Sequence, residues 1–243
     1  RVDQFKKIPQ VPASRRTLQP AAMAANAGQQ SRGLHDPPLD LHDEAIFLLQ
    51  AAAEVEHALM VQYLFAAYSL RSQDQTPEHG ELVEQWRETL LQIAREEMAH
   101  LASVENLLLV MGGPLNFERE HSPFTSKLYP FRFKLQPLTL RSLAKYVRAE
   151  KPGDRPPGIP DTDWALIEGD IQDAAKQDND GFEVQSVGAI FHRLRELLRT
   201  MPAEEFRLDT LAQQATFDDW GYDPEDEELG ERLLVKSLAG ADS

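Results

Sequence analysis

The stretch from Trp86 to Met111 limits the possible folds of this chain more than any other. Leu90, Ile93, Glu97, His100, Val104, Leu107 and Met111 recur every three or four residues, the spacing of one helix face turned towards a core. A carboxylate and an imidazole therefore occupy two positions of an apolar stripe, one turn apart on the same side. Burying an ionised Glu is costly unless it is paired or bound to a metal, so the run Arg95-Glu96-Glu97-Met98-Ala99-His100 calls for a physical reason.

A second stripe precedes it. From Leu41 the residues Ile46, Leu49, Ala53, Glu56, Met60, Tyr63, Ala67 and Leu70 step by three and four, with Asp40 or His42-Asp43-Glu44 placed to open the helix. Here too an acid, Glu56, holds a core position. The two helices are expected to run antiparallel, joined by the polar loop from Arg71 to Gly80, which brings the middles of both to one level. Glu-x-x-His on a bundle helix is a ligand motif of dinuclear iron and manganese carboxylate sites. The four-residue pattern is common by itself; its place on a buried stripe, opposite another buried acid, gives it weight. Glu54 and His57 share the spacing but flank the stripe, with His57 a subsidiary candidate as ligand or as support for one. Glu96 reads as solvated or paired with Arg95.

The remaining chain divides around this pair. Residues 1–40, with Pro9, Pro12, Pro20, Pro37 and Pro38, read as an irregular arm or linker, and His35 and Asp36 as solvated loop residues. Residues 41–243 read as one helical domain. Met111-Gly112-Gly113-Pro114 stops the second helix. The Phe- and Pro-rich segment 117–160 is expected to cross the bundle as an irregular cover, with a short helix near Leu138 to Ala149; His121 within it is a weak ligand candidate. Asp161 to Lys176 suits a helix, and Phe182 to Met201 a longer one through Val184, Val187, Phe191, Leu194, Leu198 and Met201, with His192 off the stripe. Residues 202–228 form an acidic loop without the spacing of a calcium-binding EF-hand, and Leu229 to Ser243 looks like the start of another helix.

Composition removes several function classes. At 243 residues with a formal charge of −15, the chain is a poor partner for nucleic acid or an anionic membrane surface. With no cysteine it has no thiolate catalysis, disulfide or Cys-type metal site. No apolar run reaches the roughly 18 residues of a membrane span, and the N-terminal residues do not read as a signal peptide. A cytoplasmic protein is the expectation.

Glu56-His57-Ala58-Leu59-Met60-Val61-Gln62-Tyr63-Leu64, followed by Arg95 to Leu101, resembles the ferritin-like domain of the iminophenyl-pyruvate dimer synthase family of the violacein and rebeccamycin pathways. Asn106-Leu107-Leu108 through Gly112-Gly113-Pro114, and Phe133-Lys134-Leu135-Gln136-Pro137-Leu138, continue the similarity, which spans roughly residues 41 to 200. The seven-residue step from Glu56 to Tyr63 also resembles the first helix of ferritins.

The resemblance implies an all-α, ferritin-like four-helix bundle with long irregular connections and a dinuclear iron site, manganese being the alternative metal. Glu56 would be a terminal or bridging ligand, Glu97 a bridge and His100 a nitrogen donor, with Tyr63 beside the metal as a hydrogen-bonding or redox group. It further implies an oxidoreductase acting on a small organic, amino-acid-derived substrate with dioxygen or peroxide. The chain also departs from the family pattern. Gly188-Ala189-Ile190-Phe191 lacks the acid expected after the third-helix glycine, leaving Glu183 as a substitute ligand, and no histidine follows His192 to form the fourth-helix Glu-x-x-His. Three readings compete: the remaining ligands lie on a lost segment at the C-terminus or on a companion polypeptide, a second copy supplies them across a homodimer interface, or the site has decayed. The last would make the chain a non-catalytic scaffold or partner-binding module.

Overall fold

A computed structural model describes residues 38–71, 78–119, 128–150 and 160–216. By its contacts the chain divides into Arg1–Pro38 and Leu39–Ser243, and the elements below belong to the second unit. The expectations for residues 1–37, His121, the end of the acidic loop and the terminal helix from Leu229 lie outside the described residues.

Five helices are described: α1 (Leu41–Ser69), α2 (Gly80–Met111), α3 (Leu140–Glu150), α4 (Asp161–Asp178) and α5 (Gly188–Thr200), followed by 3-10 turns at Ala203–Glu205 and Leu208–Gln213. No strand occurs among the described residues. Asp40 caps α1 by accepting the Asp43 N–H at 2.8 Å, satisfying one of the donors that every helix start leaves unpaired. At the C-terminus of α2, Gly112 takes φ +74° and closes the helix with two bonds, Gly112 N–H to Leu109 C=O and Gly113 N–H to Leu108 C=O. A side chain at Gly112 would be strained by that φ and would also meet the guanidinium of Arg207.

α1 and α2 form the central pair and run antiparallel. His42, at the start of α1, bonds the Met111 carbonyl at the end of α2, while Arg87, in the second turn of α2, bonds the Leu70 carbonyl just past α1. α1 is buried on almost every side, including Ala45, Leu48, Leu49, Ala52, Val55 and Leu59. The non-helical segment 129–139 runs along it from Glu54, which accepts the Tyr129 hydroxyl, to Ser69, whose hydroxyl accepts the Leu138 N–H at 2.8 Å. α5 packs on α1, tied by a bidentate Arg193–Glu44 pair at 2.9 and 3.1 Å, and α3 packs on α4.

α2 begins at Gly80, where the connecting loop is expected to end, and Trp86 is 49 % exposed on its outer side. One boundary differs from expectation. The helix expected from Phe182 begins only at Gly188. Over 182–186 the chain is not helical, and backbone donors there are taken elsewhere: Gln185 N–H bonds Pro130 C=O, and Val187 N–H, at the N-cap of α5, bonds Ala149 C=O. Further on, the Asn106 side chain holds the chain at Ala215 from both sides, its amide donating to the Ala215 carbonyl at 3.0 Å and its oxygen accepting the Ala215 N–H at 2.8 Å.

Candidate metal centre

Glu56 of α1 and Glu97 of α2 meet across the seam of the central pair. They are 1 % and 4 % exposed. His100 follows Glu97 by three residues, which turns a helix through about 300° and sets the imidazole about 60° to one side of the seam. That offset explains why 54 % of its side chain is exposed, where the sequence stripe suggested burial. Its Nδ1 edge nonetheless turns inward, 3.1 Å from Glu97 Oε2 and 3.5 Å from Glu56 Oε2. The three side chains each place a potential ligand atom within 4.8 Å of the other two, and they are the metal-competent group found among the described residues.

The electrostatics of this cluster show how poorly its charges are balanced by protein alone. Burial pushes the Glu97 carboxyl up; the His100 hydrogen bond pulls it back, and Glu56 pushes it up again, to about 7. Burial pulls His100 down, but the two carboxylates outweigh it and hold the imidazole up at about 10. Most telling is Glu56 Oε2: it is buried, and it accepts no hydrogen bond although His100 lies at ion-pair distance. A buried carboxylate oxygen without a donor is costly. A divalent cation placed among the three atoms removes that cost, replaces the extra proton on His100 and neutralises both acids. The donor set, two carboxylate oxygens and one imidazole nitrogen, suits iron or manganese. The residues fit the group.

Tyr63 lies two turns beyond Glu56 and is 3 % exposed. Its phenol is raised well above the usual value, first by burial, then by the negative charges of Glu150, Glu97 and Glu56 among its neighbours. Its ring packs against Tyr146 of α3, tilted by 54° with centroids 5.1 Å apart. Glu183 is not brought to this cluster. It is exposed in the non-helical segment before α5, where it accepts from Lys176 Nζ and, at 3.4 Å, from Gln172. Nor is the subsidiary candidate His57, which keeps a buried Nδ1 without a hydrogen-bond partner on the flank of α1; His192, expected off the stripe, is exposed beside Glu196 at 3.4 Å.

Sequence reasoning passed over three buried or adjacent charges. Glu105, two turns beyond Glu97 on α2, is 4 % exposed and accepts the Asn116 N–H on both oxygens. Lys145 on α3 is fully buried, 2.8 Å from Asp178 though off hydrogen-bonding angle, with its ammonium over Phe131 at 5.0 Å and Tyr146 at 5.5 Å. The available signal was its place between Ala144, Tyr146 and Ala149, on the face α3 buries. Glu150, the last residue of α3, is exposed and carried no sequence signal.

Comparison with known proteins agrees with the fold and the motifs. A dichlorochromopyrrolate synthase from Lentzea aerocolonigenes is 27 % identical over 186 residues, covering 68 % of this chain and 18 % of the relative. A 2-imino-3-(indol-3-yl)propanoate dimerase from Chromobacterium violaceum is 32 % identical over 129 residues, covering 43 % of this chain and 13 % of the relative. The chain thus spans less than a fifth of the length of these curated relatives. No solved structure matches it. No helix among the described residues is long and apolar enough to cross a membrane. The ferritin-like family model matches residues 49–232, a span that contains every residue of the cluster, and the chain belongs to the ferritin-like family.

Proposed function

We propose that Glu56, Glu97 and His100 hold iron, as one half of a dinuclear centre, in an oxidoreductase acting on a small amino-acid-derived substrate with dioxygen or peroxide. The observation that carries this reading is the orphaned Glu56 Oε2, buried and facing Glu97 Oε2 and His100 Nδ1. Bound iron would supply the reduction of dioxygen or peroxide and so an oxidising equivalent for the substrate.

The chain's own residues do the rest. Glu56 and Glu97 offer anionic oxygens from a dry seam, where an ion–ligand interaction is not weakened by water. His100 becomes a ligand by giving up the proton that the two acids otherwise hold on it, so loading releases protons. The exposed outer edge of its ring marks the side open to small molecules. Tyr63 borders the cluster from within the core. The relatives' names, a synthase and an imine dimerase, support an oxidative coupling of two imine units as the reaction class.

A second reading rests on what the described residues bring together: one three-ligand set, with Ala189 on α5 and Glu183 tied to Lys176. A ferritin-like module with an incomplete site would then bind a partner rather than catalyse. Metal analysis of protein purified without chelators separates the two. About two irons per chain, lost in Glu97→Ala, is the result expected of a complete dinuclear site, and about one points to a half-site completed by another chain. No metal after anaerobic ferrous loading overturns the oxidoreductase in favour of the scaffold.

A further inference from the structure

Polar ties set how far α1 and α2 are slid past each other. Two lie near the ends of the pair, from His42 to the Met111 carbonyl at 2.9 Å and from Arg87 to the Leu70 carbonyl at 3.1 Å, each roughly 20 Å along the axis from Glu56. A third lies nearer the ligand cluster and is made by Asn116, just beyond the stop of α2. Its main-chain N–H donates to both oxygens of Glu105 on α2, at 3.3 and 3.0 Å. Its Nδ2 donates to the Gln50 carbonyl and to Glu54 Oε1 on α1, each at 3.3 Å. Its Oδ1 accepts the Glu118 N–H at 3.0 Å, which leaves the amide nitrogen as the atom facing α1. The other oxygen of Glu54 is steadied by the Tyr129 hydroxyl. One residue thus joins the two helices close to Glu56 on one and His100 on the other.

Packing alone holds that register weakly. Helices interlock by ridges of side chains set into grooves, and around Glu56 the buried side chains of α1 include Ala51, Ala52, Ala53 and Ala58, whose ridges are shallow. The cluster tolerates little slip. Glu97 Oε2 and Glu56 Oε2 lie 3.1 and 3.5 Å from His100 Nδ1, and sliding α1 by a single residue moves Glu56 by about 1.5 Å. We propose that Asn116 is a positioning residue: by bonding Gln50 and Glu54 on α1 and Glu105 on α2, it sets the axial register that brings Glu56 opposite Glu97 and His100. Its consequence for iron rests on the oxidoreductase reading, whereas the register itself does not. Removing the Asn116 side chain frees α1 but leaves the main-chain bond to Glu105, so the tie opens on the α1 side alone.

The chain has no cysteine, so nitroxide labels on Tyr68→Cys and Arg95→Cys, at exposed positions of α1 and α2, report slip directly through pulsed dipolar spectroscopy of the metal-free protein. In Asn116→Ala the label distance should shift by at least about 1.5 Å, the rise of one residue. Ferrous affinity, read by titration calorimetry, should fall about tenfold or more. Asn116→Asp keeps the shape but sets an acid against Glu54, and it should move both readouts further. Asn179→Ala is the control, because that buried side chain bonds main-chain groups of Arg132, Phe182 and Glu183. It should lower stability and leave both readouts at the wild-type level. An unchanged distance in Asn116→Ala, an unchanged affinity where wild type binds iron, or equal changes in Asn179→Ala would each overturn the proposal. A wild-type protein that binds no iron overturns the oxidoreductase reading instead, and the label distance alone then decides the register.

Discussion

Lys145 and Asp178 bury one charge of each sign 2.8 Å apart, while Glu56, Glu97 and His100 crowd two acids against a single half-exposed imidazole. In the first, Asp178 is held below the usual carboxylate range: its burial is outweighed by Lys145 and by Gln136. Burial pulls Lys145 down and Asp178 holds it up, and two aromatic faces take the remaining field of the ammonium. The second cluster has no such balance. It binds protons more tightly than its parts would and still leaves Glu56 Oε2 without a donor. The contrast separates a charge pair that completes a fold from a charge set that the protein alone leaves unbalanced.

Breaking the balanced pair should have the largest effect. Lys145→Met strands Asp178 and is expected to cost about 3–5 kcal/mol, read as a shift of the urea midpoint, with iron content per folded chain unchanged. Glu56→Ala should do the reverse, leaving the fold intact while metal affinity falls by more than the roughly 10–100-fold that loss of a supporting residue costs; titration calorimetry with ferrous ion checks it.

The pH dependence sharpens the comparison further. Glu97 is raised from 4.5 to about 7 in the fold, so its contribution is complete below pH 4.5 and lost as pH rises through 7. His100 is raised from 6.5 to about 10, so its contribution is complete below pH 6.5 and lost as pH rises through 10. The metal-free protein should therefore lose stability from about pH 5 to 10, whereas iron affinity should rise over the same range because loading displaces these protons. Denaturation midpoints with and without iron should draw apart as pH increases; parallel curves would contradict the assignment.

Glu105 offers a smaller, metal-independent control. Burial raises it to about 7 against the pull of the Asn116 N–H, so its contribution is complete below pH 4.5 and lost through 7. Glu105→Gln should raise the urea midpoint at pH 8 and leave it unchanged at pH 4, with no effect on iron binding.

Much of this was legible in the sequence. Repeating threes and fours located α1 and the seam, and the Gly-Gly-Pro stop fell where Gly112 closes α2. Glu56, Glu97 and His100 were found because acids on an apolar stripe violate the pattern around them. Phe182 to Val187 misled because Val184 and Val187 are both buried, three residues apart as on a helix, while the bonds to Pro130 and Ala149 that take up backbone donors of the segment come from residues far away in sequence. Glu183 was out of reach for the same reason, since its position depends on where α5 begins. Lys145 had a local signal, but its partner Asp178 sits 33 positions later, and no periodicity links the two.

The grip of Asn106 on Ala215 bears on how this chain can vary. A single carboxamide presents a donor and an acceptor in the arrangement of a peptide group, and it reads only main-chain atoms. Position 215 can therefore accept any residue with a backbone N–H that its surroundings have room for. At 106, Asp removes the donor and Leu removes both. Two positions in mutual contact thus carry unequal mutational freedom, and a deep substitution scan should show tolerance at 215 beside intolerance at 106.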